Sequence, residues 1–373
     1  MTDAPFRSLF ETNMGITIGE TILLFSDTIR QDESVSGEDR DRRERLAALA
    51  EEAASYARRA YGGCRFVSFP ATAASGAEPP EELWRAALGD AALEELKEGG
   101  LLERLLAKCA TTGDLAAARA IAVASTQAAD LIVALANNST SHTRFRSIMN
   151  AAGCRYASLP HFDPEMLFTS MQVDWRELAI RTRRLADLVT MAFSVTLTTP
   201  DGTELVMGVA GRIAKADDGL LTTPGSFGNL PAGEAFLAPV EGTTSGVLVI
   251  AYAPTHRLAT PLRLVVREGN VVTIEGEDPY REVLEEKFAR SPLNRNIAEL
   301  GIGTNEKATR PDNVLEAEKI LGTVHVALGD NAGFGGTVST PFHEDYVLYR
   351  PTLALGMPDG GKVMVLDDGK LLL

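Results

Sequence analysis

The chain has 373 residues, of which 45% are hydrophobic, and 51 acidic against 36 basic side chains give it a formal net charge of −15. This composition is typical of a globular protein, and the length favours two domains over a single core. The negative charge argues against nucleic acid or an anionic membrane as a partner, because both would repel the chain. No apolar stretch of about 18 residues occurs, so we expect no membrane span.

The cysteines and the N-terminal residues bear on the compartment. Cys64, Cys109 and Cys154 are scattered and form no CxxC pair, which fits a reducing compartment and predicts no disulfide framework. The N-terminal sequence MTDAPFRSLFETNM lacks a basic segment followed by an apolar run, so no signal peptide is expected. We therefore expect a cytoplasmic protein.

Up to about residue 190, short apolar runs alternate with helical patterns. Residues 39–61 carry apolar side chains at helical spacing, and Pro79-Pro80-Glu81-Glu82 places prolines and acids where a helix begins. The predicted strands are residues 21–27, 64–69, 130–135 and 155–159. Strands separated by helices predict a parallel sheet covered by helices, and hence an N-terminal α/β domain over residues 1–190.

The pattern changes after a helix predicted for residues 174–190. Pairs of apolar runs now flank short turn sequences that contain Gly, Asp or Asn, which is typical of hairpins. Only residues 279–290 and 311–321 have a helical pattern. The predicted hairpins are 193–198 with 204–207, 262–266 with 271–274, and 363–366 with 370–373. We expect a C-terminal, mainly antiparallel β (α+β) domain over residues 191–373.

Common catalytic and nucleotide-binding motifs are missing from the sequence. It has no GxGxxG after a strand, no GxxxxGK[ST], no GxSxG and no HExxH. His343-Glu344 begins like the last of these, but Val347 stands where the second histidine is required. We therefore predict no nucleotide cofactor.

The triplet His343-Glu344-Asp345 is a candidate for metal binding. In a strand, residues i and i+2 face the same side, so His343 and Asp345 can converge on one cation. An imidazole with a carboxylate suits zinc, cobalt, manganese or iron. A plain surface or core role is the alternative for this triplet.

Three further candidates lie in apolar surroundings. His325 and Glu299 each have apolar neighbours on both sides, and Glu234 lies between a Pro-x-Gly turn and an apolar strand start. Burying a carboxylate without a partner costs several kcal/mol, and a metal ion is one such partner. For His325, the alternative is a hydrogen-bonded core residue.

Several segments resemble the aminopeptidase T metallopeptidase family. NLPAGEAFLAP (229–239) is similar to the family signature NLPxGEVFTAP, and AELGIGTN (298–305), HVALG (325–329) and HED (343–345) follow in the family's order. In the first domain, GETILL (19–24), STSHT (139–143) and GCRYASLP (153–160) resemble further family segments. The resemblance thus extends over most of the chain.

This resemblance implies a set of ligands and an assembly. Glu234, Glu299, His325, His343 and Asp345 would hold up to two divalent ions, with zinc or cobalt favoured and a glutamate bridging. The family's members are homodimers, so a homodimer is expected. The implied activity is that of a metal-dependent aminopeptidase-like hydrolase, in which the metals activate water on a peptide or other small amide substrate.

Two departures from the family pattern keep alternatives open. Ala332 stands where the family has a tyrosine thought to act in catalysis, and the loop between His325 and His343 is short. The iron-dependent 2,5-dihydroxypyridine dioxygenases of the same superfamily resemble the chain in this short Gly-Gly loop. That branch uses a histidine at the Glu299 position and lacks equivalents of Glu234 and His325, so the two-metal hydrolase is favoured here.

Three functional hypotheses therefore follow from the sequence. The first is the hydrolase, the second is an Fe(II)-dependent ring-cleaving dioxygenase, and the third is a non-catalytic peptide-binding relative. The sequence identifies no general base, and Glu344 and Glu306 are candidates only because they lie near the ligands along the chain. For His142, we favour a structural role at a helix start over a role in the cleft.

Overall fold

The computed structural model describes residues 3–254 and 256–373. The chain forms two compact units. The first comprises Met1–Gln172 and Gly219–Pro231, and the second comprises Val173–Asp218 and Ala232–Leu373. Among the described residues, no helix combines the length and the apolar character that crossing a membrane requires.

The strands in the described residues are numbered in chain order. They are β1 Ile22–Thr28, β2 Cys64–Pro70, β3 Leu131–Leu135, β4 Arg155–Ser158, β5 Ser194–Thr198, β6 Glu204–Gly208, β7 Lys215–Asp217, β8 Phe227–Asn229, β9 Glu234–Leu237, β10 Ser245–Ala253, β11 His256–Arg267, β12 Asn270–Glu275, β13 Ile297–Gly303, β14 Val324–Gly329, β15 His343–Leu348, β16 Thr352–Gly356, β17 Lys362–Asp367 and β18 Lys370–Leu371.

The α-helices are numbered in the same way. They are α1 Asp3–Arg7, α2 Gly37–Tyr61, α3 Glu81–Leu88, α4 Asp90–Glu98, α5 Leu101–Leu106, α6 Thr112–Ala124, α7 Arg144–Ala151, α8 Trp175–Thr190, α9 Tyr280–Arg290 and α10 Val314–Ala317. A π-helical turn spans Ser8–Asn13, and 3-10 turns span Pro164–Phe168, Ser170–Gln172, Pro292–Arg295 and Ala332–Phe334.

The first unit contains a parallel sheet with strand order β2-β1-β3-β4-β8. All four strands predicted for the first half of the chain are present in it. The fifth strand, β8, lies in Gly219–Pro231, the segment in which the chain returns to the first unit, and the sequence did not suggest it.

Helix starts follow the local sequence. Ser36 accepts a hydrogen bond from the Asp39 backbone N–H at the start of α2, and Thr111 begins α6 with a capping box.

The second unit contains two antiparallel sheets. One has the strand order β12-β11-β10-β6-β5-β16-β17-β18 and includes the three predicted hairpins. The other has the order β15-β14-β13-β9-β7. Apolar residues of both sheets, among them Leu197, Leu264, Leu300 and Val326, belong to one hydrophobic core. The predicted combination of a parallel α/β region with an antiparallel β region is thereby confirmed.

One predicted helix is much shorter than expected. The pattern predicted a helix over residues 311–321, but α10 is a single turn. The chain after α10 turns to run beside Asn305, whose backbone N–H donates to Lys319 O and whose backbone carbonyl accepts from Leu321 N–H. These tertiary hydrogen bonds replace those that would have continued the helix.

Candidate metal centre

The predicted ligands all lie on one face of the five-stranded sheet. In the pairing register, Glu234 lies opposite Gly303, His325 lies opposite Gly301, and Ala327 pairs with both Glu299 and Asp345. Alternate residues of a strand share a face. The register therefore places Glu234, Glu299, His325, His343 and Asp345 on the same side of the sheet.

The opposite face of this sheet is mainly apolar. Leu237, Leu300, Val326 and Tyr346 alternate with the ligand-bearing positions and are buried in the core of the second unit. A one-residue shift of any strand would exchange the two faces, so burial of the apolar face also determines the direction of the ligands.

Glu299 lies between the two site histidines. Its Oε1 is 3.5 Å from His325 Nε2, and its Oε2 is 3.4 Å from His343 Nε2. Two groups of potential ligands share this carboxylate: Glu234, Glu299 and His325 form one, and Glu299, His343 and Asp345 form the other. Within each group the ligand atoms lie within 4.8 Å of one another. Glu299 therefore presents one oxygen to each group.

The outer members complete the two groups. Glu234 Oε2 is 3.3 Å from His325 Nε2, and Asp345 Oδ1 is 3.6 Å from His343 Nε2. The Nδ1 atom of His343 is 2.8 Å from the backbone carbonyl of Asp330. Since a carbonyl only accepts hydrogen bonds, His343 Nδ1 is the donor and Nε2 is available as a ligand atom.

Gly301 provides the space for the His325 ring. A Cβ atom on Gly301 would lie 2.0 Å from His325 Cε1 and 2.1 Å from Nε2. The imidazole thus lies directly over the backbone of the neighbouring strand. Sequence reasoning missed this residue, although an interior glycine in a strand is a known sign of close approach.

The electrostatics of the centre favour positive charge. Burial alone lowers the pKa of His325, but the hydrogen bond to Glu299 and the negative charges of Glu234 and Asp345 raise it to about 9. Burial raises the pKa of Glu299, yet the two histidines outweigh this effect and hold the pKa below its ordinary value. Asp345 likewise has a lowered pKa, because the effect of His343 exceeds that of burial.

The residues fit divalent metal ions. Three carboxylates and two imidazoles converge, a donor set that suits zinc, cobalt, manganese or iron. Glu234 Oε2 and His325 Nδ1 are buried and have no hydrogen-bond partner among residues 3–254 and 256–373. Buried polar atoms normally have such partners, so Glu234 Oε2, which lies 3.3 Å from His325 Nε2, is consistent with a metal ligand.

A fully buried lysine adjoins the ligands and was not singled out from the sequence. The side chain of Lys319 is 0% exposed, and its Nζ is 2.6 Å from Glu234 Oε1 and 2.9 Å from Glu318 Oε2. Asp217 Oδ2, on the neighbouring strand β7, is 4.0 Å away. Burial lowers the pKa of Lys319, but the three carboxylates raise it well above the ordinary value. Nothing in the local sequence of this segment signals such burial.

The candidates for a general base lie away from the ligand groups. Glu344 points to the other face of β15, where it accepts hydrogen bonds from Tyr280 and Tyr346 and pairs with Lys287. Glu306 is partly exposed and pairs with Arg181 at 2.6 Å.

The loop between β14 and β15 places an aromatic ring beside the centre. Ala332 is exposed, but two residues later the ring of Phe334 lies edge-on to His343, with 5.8 Å between the ring centroids. Phe334 also contacts Phe236, which shares the ligand face with Glu234. The two rings form an apolar wall at this edge of the candidate centre.

Comparisons with known proteins agree with this architecture. A family model described as 2,5-dihydroxypyridine 5,6-dioxygenase (NicX) matches residues 102–372. A 2,5-dihydroxypyridine dioxygenase from Pseudomonas putida KT2440 is 18% identical, with a TM-score of 0.69 over 100% of this chain and 96% of that one. Wild-type AmpT from Thermus thermophilus is 15% identical, with a TM-score of 0.61 over 100% of this chain and 99% of that one. No curated protein sequence matches the chain. Both branches of the superfamily indicated by the sequence motifs are thus represented, which confirms that expectation.

Proposed function

This chain belongs to the 2,5-dihydroxypyridine 5,6-dioxygenase (NicX) family and is a metal-dependent enzyme of its superfamily. Within that family, we propose that it is a hydrolase that uses two metal ions to cleave a peptide or other amide bond. The observation that carries the proposal is the position of Glu299, whose two oxygens face different histidines. A carboxylate shared in this way suits a bridging ligand between two cations.

The proposed ligand roles follow from the two groups. Glu234 and His325 would hold one ion, His343 and Asp345 the other, and Glu299 both. When bound, such a pair of divalent ions polarises a carbonyl oxygen and lowers the pKa of water towards neutrality. The protein orients the ligands through the Asp330 carbonyl at His343.

Two further features would serve a hydrolytic reaction. Lys319 contacts both Glu318 and Glu234. Burial raises the pKa of Glu318 to about 7, because nearby carboxylates add to the effect of burial and Lys319 only partly opposes it. A carboxyl group with this pKa suits proton transfer near neutral pH. The apolar wall of Phe236 and Phe334 suits an apolar side chain of the substrate. By family resemblance, we also propose a homodimer.

A second candidate activity is ring-cleaving dioxygenation. It is favoured by the family match and by the P. putida dioxygenase among the similar structures. In this case Glu299, His343 and Asp345 would hold a single ferrous ion, and Glu234 and His325 would not bind metal.

Metal content and two activity assays separate these candidates. We expect about two equivalents of zinc, cobalt or manganese per chain and hydrolysis of aminoacyl amides. Glu234→Gln and His325→Ala should abolish hydrolysis while the protein stays folded by circular dichroism. One equivalent of iron, with oxygen uptake on 2,5-dihydroxypyridine that survives Glu234→Gln, would overturn the hydrolase in favour of the dioxygenase. Full metal occupancy without turnover in either assay would favour the non-catalytic relative.

A further inference from the structure

Acidic and cationic groups alternate across the ligand face of the five-stranded sheet. Glu299 on β13 is shared by the two ligand groups, and Glu234 on β9 is shared by His325 and Lys319. Beyond Lys319, Asp217 on β7 lies opposite Glu234 in the register. Two proposed metal positions and the Lys319 ammonium group thus form a row of three cationic positions, each beside at least one of these carboxylates.

The backbone around Lys319 is fixed relative to Glu234. Lys319 O accepts a hydrogen bond of 2.8 Å from the Asn305 N–H, and the Asn305 side chain donates to Ala232 O at 2.9 Å. Gly233, the residue before Glu234, accepts a hydrogen bond from the Thr304 N–H. One short stretch of chain thus joins the lysine backbone to the turn that leads into β9.

We propose that Lys319 is a positioning residue of the metal centre, a built-in cation that holds Glu234 through Oε1 and leaves Oε2 directed towards the metal position beside His325. The inference rests on the metal-binding part of the proposed function. An ammonium group has three donors, and Lys319 has Glu234 and Glu318 within hydrogen-bond distance. Glu234 Oε2 has no hydrogen-bond partner in the described part of the chain and lies 3.3 Å from His325 Nε2.

Charge explains why a lysine is suited to this position. A buried carboxylate without a partner takes up a proton or turns away, and either change removes it as a ligand. With Lys319 in place, one oxygen of Glu234 is paired and the carboxylate is held in its orientation. Asp217 and Glu318 compensate the buried ammonium on its other sides.

The test is metal titration of the full-length protein, stripped with a chelator, using zinc and calorimetry. Lys319→Met keeps a long, flexible side chain but removes the charge. We expect one of the two zinc equivalents to bind about 10- to 100-fold more weakly, as for loss of a group that orients a ligand, and the other to be unchanged. Lys319→Arg, which restores the charge, should recover part of the lost affinity.

Lys287→Met is the matched control, because Lys287 also pairs with a strand glutamate, Glu344, that lies between two proposed ligands. It should bind both zinc equivalents as the wild type does. Unchanged or tighter binding of both equivalents in Lys319→Met would overturn the inference, as would equal weakening of both.

A double variant covers the case in which Lys319→Met does not fold. In the Glu234→Gln background, loss of Lys319 leaves one unpaired carboxylate fewer than in the single variant, and proteins tolerate joint loss of both partners of a buried pair better than loss of one. There, adding Lys319→Met should change zinc affinity by less than about twofold if Lys319 acts through Glu234. A further loss of tenfold or more would show that it does not. A wild-type protein that binds no metal refutes the proposed function itself, whereas two equivalents bound equally by wild type and Lys319→Met refute only this inference.

Discussion

Replacing Gly301 by alanine should disrupt the candidate metal centre without a change of ligand. The added Cβ would lie 2.0 Å from His325 Cε1 and 2.1 Å from its Nε2. Carbon atoms make favourable contacts at about 3.5–4.0 Å, so the ring or the strand must shift by about 1.5 Å. The backbone of Gly301 does not have a positive φ, so the conflict is one of space.

The shift is a large fraction of the length of a metal–ligand bond. Zinc binds imidazole nitrogen at about 2.0–2.1 Å, so a movement of this size takes His325 Nε2 out of reach of the group that it forms with Glu234 and Glu299. Loss of groups that merely orient ligands costs about 10- to 100-fold in metal affinity. We therefore expect at least about a 100-fold loss for one equivalent, or about 2.7 kcal/mol. Overpacking should also reduce the free energy of unfolding by about 1–3 kcal/mol.

The assay is zinc titration by calorimetry, with chemical denaturation of the metal-free protein measured in parallel. Gly356→Ala is the matched control. Gly356 ends strand β16 in the other antiparallel sheet, and the added methyl group would lie 2.4 Å from Ser194 Oγ on the neighbouring strand β5. This control should lose stability but keep both zinc equivalents. If folded Gly301→Ala protein binds two equivalents of zinc as tightly as the wild type does, the placement of His325 in the centre is wrong.

Three further predictions concern the ligands, the thiols and the assembly. Glu299→Gln should lose both metal equivalents with little change in circular dichroism, whereas Glu344→Gln, on the opposite face of the sheet, should retain them; full occupancy in Glu299→Gln would refute the site. Burial raises the pKa of Cys64 to about 11, so iodoacetamide at pH 8 should modify the exposed Cys109 first. The rate at Cys64 should then rise about tenfold per pH unit until pH reaches about 11, because the thiolate is the nucleophile, and equal rates for both at pH 8 would contradict this. Sedimentation should give the mass of a homodimer, and a monomeric mass at micromolar concentrations would count against that expectation.

The alternation within individual strands was readable from the sequence. His343 and Asp345 were expected to share a face because they are two residues apart, and the structure places them together. The same rule puts Glu344 on the other side, where it meets Lys287, so proximity along the chain was a poor guide to a general base. The apolar runs around Glu299 and His325 indicated burial correctly.

The sequence by itself determined strands β1 to β4, the three hairpins and the long helices α2 and α8, because periodicity and turn residues act locally. It also contained the residues of the candidate centre, and the family resemblance implied that they form one ligand set. Only the tertiary structure decided that Lys319 is buried beside Glu234, that Gly301 lies under the His325 ring, and that β8 joins the parallel sheet. These features depend on strand pairing and on chain segments far apart in sequence. No local pattern determines such contacts, because a buried charge or a close approach exists only once its partners have been brought together.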